Sequence, residues 1–558
     1  MRRLARIGAV ALSAALLFSG CNANPELGSK GASQTPQSSQ KGGTLNILTA
    51  QTEISFDPAK SQSLAITSLG LVNRRLTTWD ISPDQPAKVV PDLATDIGKA
   101  TDGGKTWTYT LKDGLKYDDG SPITSADIKY GLERSFAAEL SGGLGYHKGL
   151  LVGGDKYKGP YSGGELSSIE TPDDKTIVFK LNSPYGDWPW VASTPAFTPV
   201  PKAKDDPNTY GEKPAASGPY KVESYQQGVA LNLTRNDSWD PKTDDVRTAG
   251  PDKIIFKLSQ DPTVAAQALI SDSGDAKNSF GAQFVPAAQL AQAQKDPNVK
   301  GRLVTSQPGA LSYLAFNTTR GALKDVKVRQ ALQYAADRQA YKIAAGGSIS
   351  GENATTLITP GIPGRQEYDL YPAPDSGDMA KAKKLLAATG HASDLKLTLV
   401  TSNDPIALAQ SQALQQGFAK AGVKITLQPL DSNALSEKVT GNKGDYDLYL
   451  GSWQPDFPSP NGNIQPLFDS SQIGNGNYNT SRYSNPEVDK MIKQAIGEVD
   501  QDKAGQLWAE VDKKIMEDAP IIPLTYTKNS FLHGSNVQNF FIGAFPAYPN
   551  YLKVTLKQ

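Results

Sequence analysis

Residues able to do covalent or metal chemistry are few in this chain and badly spaced for it. The three histidines, His147, His391 and His533, lie far apart. The single cysteine, Cys21, excludes internal disulfides and cysteine metal sites. No Gly-x-Ser-x-Gly, His-Glu-x-x-His or Cys–His pairing occurs, so nucleophilic and zinc hydrolysis lack parts. Gly103-Gly104-Lys105-Thr106 ends like a phosphate loop, yet the earlier glycine is missing and a strand pattern follows where a helix is needed. Asp272-Ser273-Gly274-Asp275 has the acids of a calcium loop and reads as a solvated turn. Arg329 and Asp337 read as helix pairing or packing. Taken on residues alone, Gly451-Ser452-Trp453-Gln454-Pro455-Asp456-Phe457-Pro458 offers a turn acid and a core tryptophan. Catalysis is therefore poorly supplied, no cofactor or metal is expected, and binding chemistry remains.

The body that must carry such chemistry is large. At 558 residues it has room for two or three domains. Hydrophobic residues make 38% and charged residues 20%, enough for a sizeable core and against bulk disorder. Lys+Arg and Asp+Glu are both 57, so no basic excess exists to neutralise a nucleic-acid backbone. Arg2, Arg3 and Arg6 precede an apolar stretch over 7–18, of signal-peptide length and short for a bilayer span. Ser19-Gly20-Cys21 then resembles a bacterial lipobox, with Phe18 where leucine is usual and Leu17 beside it. Residues 1–20 are expected to be a signal peptide, with lipidated Cys21 starting a mature chain of net charge −3. Residues 21–42, rich in Ser, Gln, Gly and Asn, read as a flexible tether. Lipid, tether and body together imply attachment to the cell membrane on its extracellular or periplasmic side.

Along the body, alternation predicts strands near 43–49, 105–112, 176–181 and 254–258, and a hairpin over 217–234. Helices are predicted over 64–76 and over 127–136, the latter capped by Thr124 or Ser125. Beyond residue 307 the texture becomes regular. Strands over 311–317, 395–401 and 423–430 alternate with helices over 326–336, 379–388, 406–421, 487–496 and 503–517. That order argues an α/β layer with a substantially parallel sheet. No repeat of 20–50 residues occurs.

Several segments, read in order, resemble the family 5 extracellular solute-binding proteins, the peptide- and nickel-type receptors of ABC importers. They are Phe56-Asp57-Pro58, Val90-Pro91-Asp92-Leu93-Ala94, and the run from Trp107 through Tyr117 to Asp119-Gly120-Ser121-Pro122. Ser217-Gly218-Pro219-Tyr220, Arg235-Asn236-Asp237-Ser238-Trp239 and the 326–332 helix with Asp337-Arg338 follow. Tyr446-Asp447-Leu448, Trp453 with Asp456-Phe457-Pro458, and Ala519-Pro520-Ile521-Ile522-Pro523-Leu524 complete the series. The likeness spans about 43–541, and Tyr117 stands where Phe or Trp is usual. It implies a large type II periplasmic-binding-protein-like α/β fold with lobes hinged around a ligand cleft. Lobe I would take 43–76, 206–306 and 527–558, lobe II 77–205, and lobe III 307–526.

The same resemblance implies the site. In peptide-binding members an aspartate of the tryptophan segment takes the α-ammonium, which puts that role on Asp456. Trp453 would form an apolar wall, and the backbone of Ser452 and Gln454 would pair with an added peptide strand. Opposite, Gln51 and Glu53 follow the first strand where relatives meet ligand. One departure concerns the ligand's other end. Dipeptide-binding relatives carry an arginine in the loop after a lobe III strand, and here Val400-Thr401-Ser402-Asn403-Asp404 has no cation. A longer or neutral-ended ligand fits better. The expectation is a monomeric, lipid-anchored receptor delivering oligopeptides to an ABC permease. A receptor for an oligosaccharide or other neutral solute, stacking on Trp453 and nearby tyrosines, is the alternative.

Overall fold

The computed structural model of the chain describes residues 41–391 and 394–557. The signal peptide, Cys21 and all but the last two tether residues lie outside the described residues. Contacts gather the described residues into one unit.

Three main sheets organise that unit. The first runs Ser279–Gly281, Thr44–Leu48, Lys253–Lys257, Ala230–Arg235, Tyr220–Gln226. Thr44–Leu48 is parallel to both its neighbours, whereas the remaining pairs are antiparallel. Leu45 and Ile47 face inward with Ile254 and Phe256, as the alternation in sequence requires. The second sheet is wholly antiparallel, in the order Lys99–Thr101, Thr106–Thr110, Thr176–Lys180, Ile169–Glu170. Its core, around Trp107, Tyr109, Phe179, Trp188 and Phe197, is separate from the main one. Thr124 and Asp127 close a reciprocal capping box on the helix Ser125–Arg134 that packs there.

The third sheet runs Gly351–Asn353, Ile521–Thr527, Leu311–Phe316, Leu448–Trp453, Lys396–Ser402, Lys424–Leu430. Its last three strands are mutually parallel, but Leu311–Phe316 and Ile521–Thr527 run antiparallel to their neighbours. The sheet is thus mixed, not substantially parallel. The strand–helix–strand pattern over 395–430 governs only its own crossover; the strands from 311–316 and 521–527 arrive by long connections that impose no direction.

The helix predicted over 64–76 shrinks to Ser68–Val72. Asn73 leaves in an extended conformation (φ −116°, ψ 132°), and Arg74 and Arg75 turn to Asp92. Ala65, Ile66, Leu69, Leu71 and Val72 are buried throughout. An apolar run buried on every side has no helical period to obey.

Candidate functional site

Residues just beyond two strand ends face each other across a cavity of about 580 Å³. That lies within the range of small-molecule sites. One wall is the chain leaving Thr44–Leu48, which brings Gln51 and Glu53, with Leu64 and Thr67 beside it. Here the backbone is pinned: Ser259 N–H donates to the Gln51 carbonyl at 2.9 Å and Gly228 N–H to that of Thr52 at 2.8 Å. Tyr548 and Tyr551 line the same wall from the C-terminal segment. The opposite wall is Gln454, Pro455 and Asp456, the chain leaving Leu448–Trp453.

Four of the residues expected at the site, Gln51, Glu53, Gln454 and Asp456, therefore meet at one cavity. Ser452 and Trp453 do not line it. The Trp453 indole donates to the Gly462 carbonyl at 2.7 Å and packs on Tyr478 with ring centroids 5.1 Å apart. Ser452 is exposed on its strand, opposite Ser312. Its strand touches Lys396–Ser402 only at Leu448 and Tyr449, so among the described residues 450–453 keep one edge without a strand partner. An extended chain can be added to such an edge.

Asp456 has a partner that its own sequence neighbourhood does not reveal. The Tyr146 hydroxyl donates to Asp456 Oδ2, and the Tyr146 ring stands edge-on to Phe457 at 5.2 Å. Burial first, and the Asp456 charge second, push the Tyr146 phenol far above its ordinary range, so it stays a donor. Neighbouring bonds join the same two regions. Ser459 Oγ donates to Asp187 Oδ2 at 2.6 Å, Asn461 Nδ2 to the Tyr185 hydroxyl at 3.0 Å, and Gly186 N–H to the Ile496 carbonyl at 2.7 Å. Asp187 is buried, which pushes its carboxyl up to about 6 despite the Ser459 and Asn461 hydrogen bonds.

No lysine, arginine or histidine is among the described residues lining the cavity. The nearby Arg75 is fully buried behind the wall, with Nη2 3.4 Å from the carbonyl of Ser63. The Val400–Asp404 stretch stays out of the lining, and Asp404 caps the helix Pro405–Lys420. A second cavity of about 560 Å³ lies between 307–369 and Tyr526. Its Arg365 is already paired with Glu367, and its Glu352 with Lys528.

The other conspicuous groups are structural. Asp272 accepts from Ser535 N–H at 2.9 Å, Arg329 donates to the Asp518 and Leu323 carbonyls, and Asp337 caps Arg338–Ala344. Thr106 starts a strand, as its sequence required. Among the described residues no cluster of three or more metal-ligating side chains occurs, and no helix is long and apolar enough to cross a membrane. Tyr146, Tyr548 and Tyr551 were not singled out by sequence reasoning; no local motif marks them, because only folding brings Tyr548 and Tyr551 to the cavity and Tyr146 to Asp456.

Known proteins resemble this chain along most of its length. Residues 88–475 match the family model described as bacterial extracellular solute-binding proteins, family 5 Middle. The probable D,D-dipeptide-binding periplasmic protein DdpA of Escherichia coli K12 is 26% identical over 475 residues, covering 84% of this chain and 85% of that protein. The glutathione-binding protein GsiB of Salmonella paratyphi A is 28% identical over 471 residues, covering 82% and 85%. The solved structure of clavulanic acid biosynthesis oligopeptide binding protein 2 superposes with a TM-score of 0.84 at 31% identity, covering 93% of this chain and 96% of that one.

Proposed function

This chain belongs to the bacterial extracellular solute-binding proteins, family 5, and from that premise we propose that it captures oligopeptides outside the cytoplasm and hands them to an ABC importer. Its α/β fold is the periplasmic-binding-protein fold of its structural neighbours, and the family's work is solute binding, not catalysis. The observation that carries the peptide reading is Asp456 at the cavity wall, three residues beyond an open strand edge over 450–453. An extended peptide needs both: main-chain partners along its length and a carboxylate for its ammonium. A buried ion without a partner costs several kcal/mol, so a fixed counter-charge decides which solutes the cavity accepts.

In this reading the lobes are 43–76, 206–306 and 527–558; 77–205; and 307–526. Support comes from the three main sheets, each of which draws its strands from one of those sets, save that Ile521–Thr527 runs one residue past 526. Binding closes the two walls on the ligand because contacts to both are made only when they approach. The protein works as a monomer, held to the membrane by lipid on Cys21. The oligosaccharide alternative relied on Trp453 with nearby tyrosines as stacking faces. The Trp453 ring is taken up by Tyr478 and Gly462, which leaves Tyr548 and Tyr551 to face a sugar, so the peptide reading is the better supported.

Calorimetry with a set of oligopeptides tests the assignment. Asp456→Ala is expected to weaken affinity at least tenfold, since losing one partner of a desolvated charge pair costs about 2–5 kcal/mol. Unchanged affinity in that variant would reject Asp456 as the ammonium's partner.

A further inference from the structure

The cavity carries charge of one sign only. Its ionisable carboxylates, Glu53 and Asp456, stand on opposite walls, and no cationic side chain lines it among the described residues. Neither is in an ion pair there. Glu53 accepts a hydrogen bond from Gln227 Nε2 at 3.2 Å, and Asp456 one from the Tyr146 hydroxyl. Both partners are neutral, so neither cancels charge. The rest of the lining is hydroxyl, amide, aliphatic and aromatic, including Gln51, Gln454, Tyr548 and Tyr551.

Closing such a cavity on a neutral solute would leave two carboxylates sharing a space from which water has been removed. Each would lose hydration without gaining a counter-ion, and each would raise the other's energy. An anionic solute would fare worse. A solute with one positive charge satisfies one wall. A solute with two satisfies both, and the tyrosine faces add attraction for a lysine or arginine head.

Resting on the oligopeptide reading above, we propose that the site selects basic peptides, with the α-ammonium at Asp456, a lysine or arginine side chain at Glu53, and the peptide carboxylate outside the cavity. Glu53 is then a specificity-determining residue: it chooses among peptides, while Asp456 serves them all.

The test uses the full chain and three C-terminally amidated peptides of one length, differing at one position by Lys, Leu or Glu, with 1,4-diaminobutane as a non-peptide dication. Affinities are measured by calorimetry at low salt, where charge selection is largest. The native protein is expected to bind the Lys peptide at least tenfold tighter than the Leu peptide, and the Glu peptide more weakly still. In Glu53→Gln the preference for the Lys peptide over the Leu peptide should collapse to within threefold of unity. Equal binding of Lys and Leu peptides, or a Lys preference that survives Glu53→Gln, overturns the inference and leaves peptide capture standing. Binding of the diamine as tightly as the Lys peptide, or failure of every peptide to bind, overturns peptide capture itself.

Discussion

Asp456 has two carboxylate oxygens, and the structure commits only one of them, Oδ2, to Tyr146. The phenol thereby steadies the carboxylate and leaves its other oxygen to an ammonium. Tyr146→Phe removes that donor and leaves the ring packed on Phe457. Losing one hydrogen bond to a charged group costs about 1.5–3 kcal/mol at most. Peptide affinity is expected to fall about three- to tenfold, less than for Asp456→Ala, with the melting temperature of the ligand-free protein little changed. Calorimetry on both variants gives that ranking, and a Tyr146→Phe loss as large as that of Asp456→Ala would contradict it. At this scale the sequence was half legible. The Trp453–Asp456 segment could be found by resemblance, as could the chain after the first strand. Tyr146 could not, because its bond to Asp456 joins positions 310 residues apart.

At the scale of elements, legibility follows the locality of the signals. Met379–Ala388 is as its periodicity predicts, and Pro405–Lys420 and Gln501–Asp518 differ from expectation by one or two residues at each end. Helices that were passed over, such as Pro262–Ser271, Ser432–Thr440 and Pro460–Phe468, nonetheless announce themselves. Asp261, Asp431 and Ser459 each accept from the first-turn N–H groups, and two of the three are followed by proline. The shortened helix Ser68–Val72, by contrast, has no side-chain cap bond from Thr67. The elements that abut near Asp456 also carry a titratable seam. Asp187 is buried there against Ser459, with a carboxyl raised to about 6 in the folded protein and near 3.8 when exposed. Its sign is that of a penalty: below about 3.8 both states hold the proton, and stability is lost as pH rises through 6. Asp187→Asn keeps a hydrogen-bond acceptor for Ser459 and discards the buried charge. It is therefore expected to raise the melting temperature at pH 7.5 and to change it far less at pH 4, by calorimetric scans at both. An equal shift at the two values would show that the carboxylate is not what the seam resists.

For the whole molecule, the texture change near 307 marked where a new sheet begins, but no local pattern disclosed that its strand directions would be mixed. The first sheet was equally hidden, since resemblance, not periodicity, brought 43–76 together with 206–306. Attachment also belongs to this scale. If Cys21 carries lipid, the intact mature protein should be heavier than residues 21–558 by the mass of its acyl groups, and Cys21→Ser should release it from the membrane fraction. An unmodified mass would remove the anchor from the picture. The pairing of Thr44–Leu48 with Lys253–Lys257 has a further bearing on how the chain reaches its place of work. A strand whose partner lies some two hundred residues downstream cannot mature until that partner has been synthesised, and contacts of such long range form slowly. The leading end of the emerging polypeptide thus stays slack until that partner appears, which is the condition a secretory pore demands of anything it must thread.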